Sequence, residues 1–389
     1  MTKNTSYNCN GAMTAIGHAH TKLGTTAPHT DEPWSEAMLF GLSGGVGQGY
    51  ILWEFKKDSS APLVLGFVHR WNYPAERLEH AGTRSGLNVT TTNTGSATKA
   101  EALLSEQLAK GIPSAVLTDW LHCPYAWYLT IDDEADGIFT ARDTGKSPLA
   151  IPAEMLSAAR AEVPSYKNAL IGFSKGKRVS KTALKGNIKA AITDAVAYQS
   201  TSSDSFSLKA LRKWSRALTD KEMAKSWPTV LGDGRNLLPA LITVYQRPKL
   251  TGTDGKALRG LYADFLEEAH AFTKCADLAD AASAYRKAGK AWVKLANTAL
   301  PNDVPELAAV RALVDKRANA QAAGGAKTVA KIEALSRQID VAIKASRTKF
   351  PLNKPDRLAL FADLKMALDA VIEAEQNAID ALAKAAANL

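Results

Sequence analysis

Cys9, in Tyr7-Asn8-Cys9-Asn10-Gly11-Ala12-Met13, stands directly before a helix-forming stretch that runs to Gly24. At the positive end of a helix dipole a thiol loses its proton more readily, and the thiolate is a nucleophile for acyl transfer once a base comes within reach. The alternative is a small buried hydrophobe at a helix start, because free cysteines are among the most buried residues. The chain offers 7 histidines as candidate bases. His18 and His20 lie on the Cys9 helix itself, roughly 13 to 17 Å along its axis, too far to touch the thiol. His29, His69 and His80 fall in loops or at a strand end, and His270 in a distant helical part. His122 differs: in Asp119-Trp120-Leu121-His122-Cys123-Pro124-Tyr125 it opens a strand whose following neighbour leads into Asp143. Cysteine on an early helix, histidine opening a mid-domain strand and an acid on the next strand is the order a Cys-His-Asp hydrolase or transferase needs, since the acid orients the imidazole from the far side. Otherwise His122 is an ordinary loop histidine.

A second candidate is the glycine run Gly41-Leu42-Ser43-Gly44-Gly45-Val46-Gly47-Gln48-Gly49. Phosphate-binding glycine loops follow a strand and open a helix, whereas this run follows a helix and opens a strand, and it lacks a Gly-Lys-Ser/Thr ending. Its expected roles are positive φ, or a close approach to a ligand or to the Cys9 helix.

These residues need elements to hold them. The first 160 or so residues mix two helices after Cys9 with strand-like runs at Tyr50–Phe55, Pro62–His69, Leu87–Thr91, Ser114–Trp120, Ala126–Ile131 and Gly137–Arg142. Lys99–Lys110 is an amphipathic helix ended by Gly111-Ile112-Pro113, and an acidic turn, Asp132–Asp136, joins the last two strands. The pattern predicts an α+β domain, and helices alone after about Pro152. Leu258–Asn297 is expected as one helical stretch, and Lys354–Asn388 carries an apolar stripe suited to a bundle. Three units are expected: 1–160, a basic helical segment 161–255, and a helical bundle 256–389.

Composition narrows the classes. Three cysteines, at 9, 123 and 275, have no metal-ligand spacing and are too few for a disulfide framework; they read as reduced thiols of a cytoplasmic protein, with no metal expected. Neither an apolar export-signal core nor a membrane-spanning run of about 18 apolar residues is present. The net charge of +9 is concentrated between Pro164 and Lys249, where 16 Lys and Arg meet 5 acids. Phe206, Trp214 and Trp227 are scattered there without the stacking pattern of a nucleic-acid module, so the sharper meaning of the charge is an acidic protein partner. Long apolar helical stripes are compatible with a homodimer.

The residues also carry a resemblance. Asn8-Cys9-Asn10-Gly11-Ala12, then Ser35-Glu36-Ala37-Met38-Leu39-Phe40-Gly41-Leu42-Ser43-Gly44-Gly45-Val46-Gly47, resembles the N-terminal domain of the butirosin-pathway acyltransferase family. Gly111-Ile112-Pro113, Asp119, Pro124-Tyr125, Ile131-Asp132-Asp133-Glu134 and Asp143 continue the match, and Leu258–Ala269 with Trp292 is similar to the helical domain that commonly trails it. The resemblance implies a papain-like fold in which a cysteine takes an acyl group from a carrier-protein thioester and passes it to an amine, without a bound cofactor. On that basis Cys9 is the nucleophile and Asp143 orients the base, with His122 the candidate for that base or else unrelated to it. Asn8 and backbone N–H groups hold the oxyanion, Glu36, Gly44 and Gly45 line the substrate, and Lys177, Arg178 and Lys181 receive an acidic acyl carrier protein. The family's histidine falls in register near Pro124; His122 lies two residues earlier, on the same face of an extended chain. A cysteine peptidase or amidase, or a domain that binds without catalysing, remains open alongside.

Overall fold

The computed structural model describes residues 11–53, 63–69, 74–118, 128–142, 148–161, 167–250, 254–323 and 329–389. From the N-terminal side these form α1 (Gly11–Lys22), α2 (Glu36–Leu42), the hairpin β1 (Val46–Trp53) and β2 (Leu63–His69), and α3 (Pro74–Ser85). There follow β3 (Leu87–Thr92), α4 (Ala97–Ala109), β4 (Ser114–Leu117), β5 (Tyr128–Ala135), β6 (Ile138–Arg142), β7 (Leu149–Pro152), α5 (Ala153–Ala161) and β8 (Leu170–Lys175). The rest is helical: α6 (Lys181–Gln199), α7 (Leu208–Thr219), α8 (Trp227–Val230), α9 (Leu237–Lys249), α10 (Arg259–Thr273), α11 (Ala276–Ala299), α12 (Pro305–Ala323), α13 (Val329–Thr348) and α14 (Lys354–Asn388). The fold is α+β, an antiparallel sheet region followed by a mostly helical one.

Local chemistry sets most boundaries. Ser35 caps α2 by accepting from Met38 N at 2.9 Å, Ser96 caps α4 through Lys99 N, and Asn353 caps α14 through Asp356 N, with Pro355 in its first turn. Three expectations need correction. The acids Asp132–Glu134 do not form the turn; β5 runs through them to Ala135, and the turn is Asp136-Gly137, both at positive φ (51° and 73°), as a two-residue hairpin requires. The chain beyond Pro152 is not helical throughout, because β8 intervenes. The stretch 258–297 is two helices, broken where Lys274 turns left-handed at φ 63° and Cys275 opens α11.

The chain divides into two compact units that alternate along the sequence: Met1–Gly44, Asn72–Ala191 and Asn319–Ile332 in one, Gly45–Trp71, Ile192–Ala318 and Glu333–Leu389 in the other. The first holds a 6-stranded sheet in the order β3-β8-β4-β5-β6-β7, every neighbouring pair antiparallel. Val116, Leu129, Ile131, Phe139 and Ile151 form its core with Leu104, Leu156, Ala320 and Ile332. The boundary expected at residue 160 would cut off β8, which bridges β3 and β4, so the sheet needs chain beyond that point.

The second unit is a helical bundle that takes in the β1–β2 hairpin. Tyr50 anchors the hairpin there: its hydroxyl accepts from Trp227 Nε1 at 3.0 Å, and its ring stacks on Trp214 at 4.9 Å. Trp227 in turn meets Phe361 edge to face. Each such buried aromatic contributes roughly 1.5–3 kcal/mol by leaving water, and an aromatic pair about 0.5–1.5 kcal/mol more. Among the described residues no helix is long and apolar enough to cross a membrane.

Candidate functional site

Asn8, Cys9, His122 and Asp143 lie outside the described residues. Their sequence neighbours are described. α1 begins at Gly11, two residues after Cys9, and Ala12, Met13, Ala15, Ile16 and Ala19 are fully buried. Small side chains on that face let the helix pack closely against β4, β5 and β8 in the same unit. The first N–H groups of such a helix have no intrahelical acceptor and carry its positive dipole end. On the sheet, Leu117 at the end of β4 pairs with Tyr128 at the start of β5, and Thr130 pairs with Arg142 at the end of β6. Leu117, Tyr128 and Arg142, the described ladder residues before and after His122 and just before Asp143 in the sequence, therefore sit at one end of the sheet.

The other end of α1 is tied down by charge. Lys22 Nζ reaches Asp132 Oδ1 at 3.1 Å and the Asp132 carbonyl at 3.0 Å, and Arg142 Nε donates to the other carboxylate oxygen. Asp132 stands where β5 and β6 shift register, which frees its side chain for this double pairing. Burial, followed by the nearby Arg142 charge, lowers the His18 pKa. At about 1.5 Å per residue, roughly 17 Å of helix separate Gly11 from Lys22, so the cluster anchors the helix rather than serving a group at its start.

His20 is enclosed. Its Nε2 lies 2.8 Å from Ser85 Oγ and its Nδ1 2.7 Å from Thr25 Oγ1. The Ser85 hydroxyl donates to Gly82 O at 3.0 Å and the Thr25 hydroxyl to His20 O at 3.3 Å, so both partners of the ring are themselves held by the backbone. Desolvation lowers its pKa to about 3, so it stays neutral. This is a satisfied core histidine.

Glu36 is buried in the first turn of α2. Gly44 and Gly45 both have positive φ (95° and 67°), and a Cβ added at Gly45 would collide with the Tyr262 ring. The predicted positive φ is thus present, and the close neighbour of Gly45 is an aromatic ring, where a ligand or the Cys9 helix was expected. Glu36 and Gly44 fall in the sheet unit and Gly45 in the helical one. Lys177, Arg178 and Lys181 are exposed, together with Lys175, Lys185 and Lys189, over a stretch from Leu170 to Ala190 that contains no acid. Backbone bonding of Gly176 N to Gly86 O (3.0 Å) and Asn88 Nδ2 to Lys175 O (3.0 Å) fixes the start of this strip.

Sequence reasoning passed over Arg259 and Glu375, both fully buried and paired Nε to Oε1 at 2.7 Å. Two signals pointed to them. An arginine in a helix's first turn opposes the dipole, and Glu375 interrupts the apolar stripe Leu368, Val371, Ile379, Leu382 where a hydrophobe belongs.

An α+β chain, with an antiparallel sheet region followed by a mostly helical one, is the class of protein this chain represents. Residues 19–130 match the family described as butirosin biosynthesis protein H, N-terminal. Residues 154–334 match a domain of unknown function, DUF4872. No curated protein matches the chain. The first match includes His122, Glu36, Gly44 and Gly45; Cys9 precedes it and Asp143 follows it.

Proposed function

We propose that the protein is an acyltransferase of specialised metabolism that carries an acyl group from a carrier-protein thioester to an amine through an acyl-enzyme on Cys9, on a papain-like domain. The observation that supports it most is the family match over residues 19–130 in a chain whose α1 starts two residues after a cysteine. Cys9 Sγ attacks the thioester carbonyl, the bond to the pantetheine sulfur breaks, and His122 supplies the proton that the departing thiol takes. The amine then attacks the acyl-enzyme, gives a proton to His122, and displaces the Cys9 thiolate. Asp143 orients the imidazole. Asn8 and N–H groups at the start of α1 hold the oxyanion, while Glu36 and Gly44 shape the substrate cleft. Lys177, Arg178 and Lys181 receive the acidic carrier. The acyl group arrives activated, so the route requires no cofactor.

A second proposal, binding without catalysis, is favoured by Pro124 at the register where the family carries its histidine. Intact-mass measurement after incubation with a generic acyl thioester separates the two. An adduct of one acyl group on the wild type, absent from Cys9→Ala, is the expected result. An adduct that survives the substitution removes Cys9 from the mechanism, and no adduct on the wild type favours the binding protein.

A further inference from the structure

The glycine segment that opens β1 is held by side chains from far along the chain, all within the helical unit. β1 shifts register against β2 between Val46 and Gly49, so Gly47 and Gln48 fall out of the ladder. A carbonyl released by a bulge needs another donor. Arg259 supplies it, with Nη2 donating to Gly47 O at 2.6 Å and to Gln48 Oε1 at 3.4 Å. One turn further along α10, the Tyr262 ring fills the space that any side chain at Gly45 would require.

The arginine is costly to place. Its charge is fully enclosed and balanced by Glu375, whose Oε1 also accepts from Trp292 Nε1 at 2.6 Å. It follows a strained turn in which Ala257 and Leu258 are left-handed at φ 56° and 64°. The Asp254 carboxylate holds that turn by accepting from the N–H groups of Lys256, Leu258 and Leu261. Gln48 Nε2 and Glu375 Oε2 are buried with no hydrogen-bond partner among the described residues. A buried ion pair adds little stability over packed hydrocarbon, and left-handed non-glycine residues subtract from it. What the arrangement achieves is geometric, because a guanidinium can fix a backbone carbonyl and hydrocarbon cannot.

We infer that the matched domain of unknown function clamps the glycine segment of the domain before it, with Arg259 as the positioning residue and Glu375, from α14 beyond both matched spans, as its counter-ion.

The full-length double variant Arg259→Met/Glu375→Leu replaces the pair by apolar side chains of similar size and is expected to fold. Hydrogen exchange of residues 45–51 should be about tenfold faster or more, with the melting transition retained; Arg259→Lys, which keeps the charge but loses the fork, should lie between. Unchanged exchange in the folded variants overturns the clamp. If the double variant does not fold, Arg259→Lys decides by the same measure.

Discussion

His20 in the sheet unit and Arg259 in the helical unit are both enclosed, and the two units treat them by different chemistry. The sheet unit keeps its imidazole uncharged between two hydroxyls, so nothing there needs a counter-ion. The helical unit encloses a permanent charge and brings Glu375 from another helix, 116 residues away, to meet it. A neutral buried group makes a region sensitive to pH, whereas a buried ion pair makes it sensitive to loss of one partner. Both regions recruit parts from far along the chain, since β8 and Ala320 join the leading strands in the sheet unit.

The largest effect should come from ending the chain after residue 160. That fragment lacks β8, so β3 loses its partner and β4 one of its two. No cooperative transition is expected in a thermal melt followed by circular dichroism, and observing one would show the sheet unit to be smaller than drawn. Next, Glu375→Ala strands the Arg259 charge in the bundle and should cost about 3–5 kcal/mol in urea unfolding. Glu375→Gln, which retains an acceptor for Arg259 and Trp292, should cost less, and equal losses would mean that the charge of Glu375 is irrelevant.

A pH series tests the sheet unit. The unfolded chain protonates His20 near about 6.5 while the folded one resists to about 3. Stability from this group is therefore complete above about pH 6.5 and is lost as pH falls toward 3, by up to about 1.4 kcal/mol per pH unit. His18, also lowered, adds in the same direction. His20→Gln should flatten the slope between pH 6.5 and 4.5, and an identical slope would assign the acid sensitivity elsewhere. The smallest effect on stability belongs to Lys177→Ala/Arg178→Ala/Lys181→Ala, within about 0.5 kcal/mol, because these side chains are exposed. The same variant should weaken binding of an acidic carrier protein and reduce its salt dependence. Unaltered affinity would remove the electrostatic part of the proposal.

Much of the framework was legible in local signals. α1, α4 and α14 follow from periodicity and caps, and positive φ at Gly44 and Gly45 follows from glycine at a helix-to-strand junction. β8 was not, because Leu170-Ile171-Gly172-Phe173 is a short apolar run without alternation, and it is a strand only through β3 and β4 on either side. The break at Lys274 was hidden because α10 and α11 share one alanine-rich composition and no glycine or proline marks the turn.

The amino-acid order alone determined α1, α4 and α14, the α+β class, the basic strip and the placement of Cys9 before a helix, since each depends on neighbours within a few residues. Only the tertiary structure decided that the hairpin carrying Tyr50 joins the helices, that Asp132 anchors α1, and that Glu375 neutralises Arg259. Those pairings bring together residues tens to hundreds of positions apart, and no local propensity encodes which distant partner will remove a given charge or ring from water.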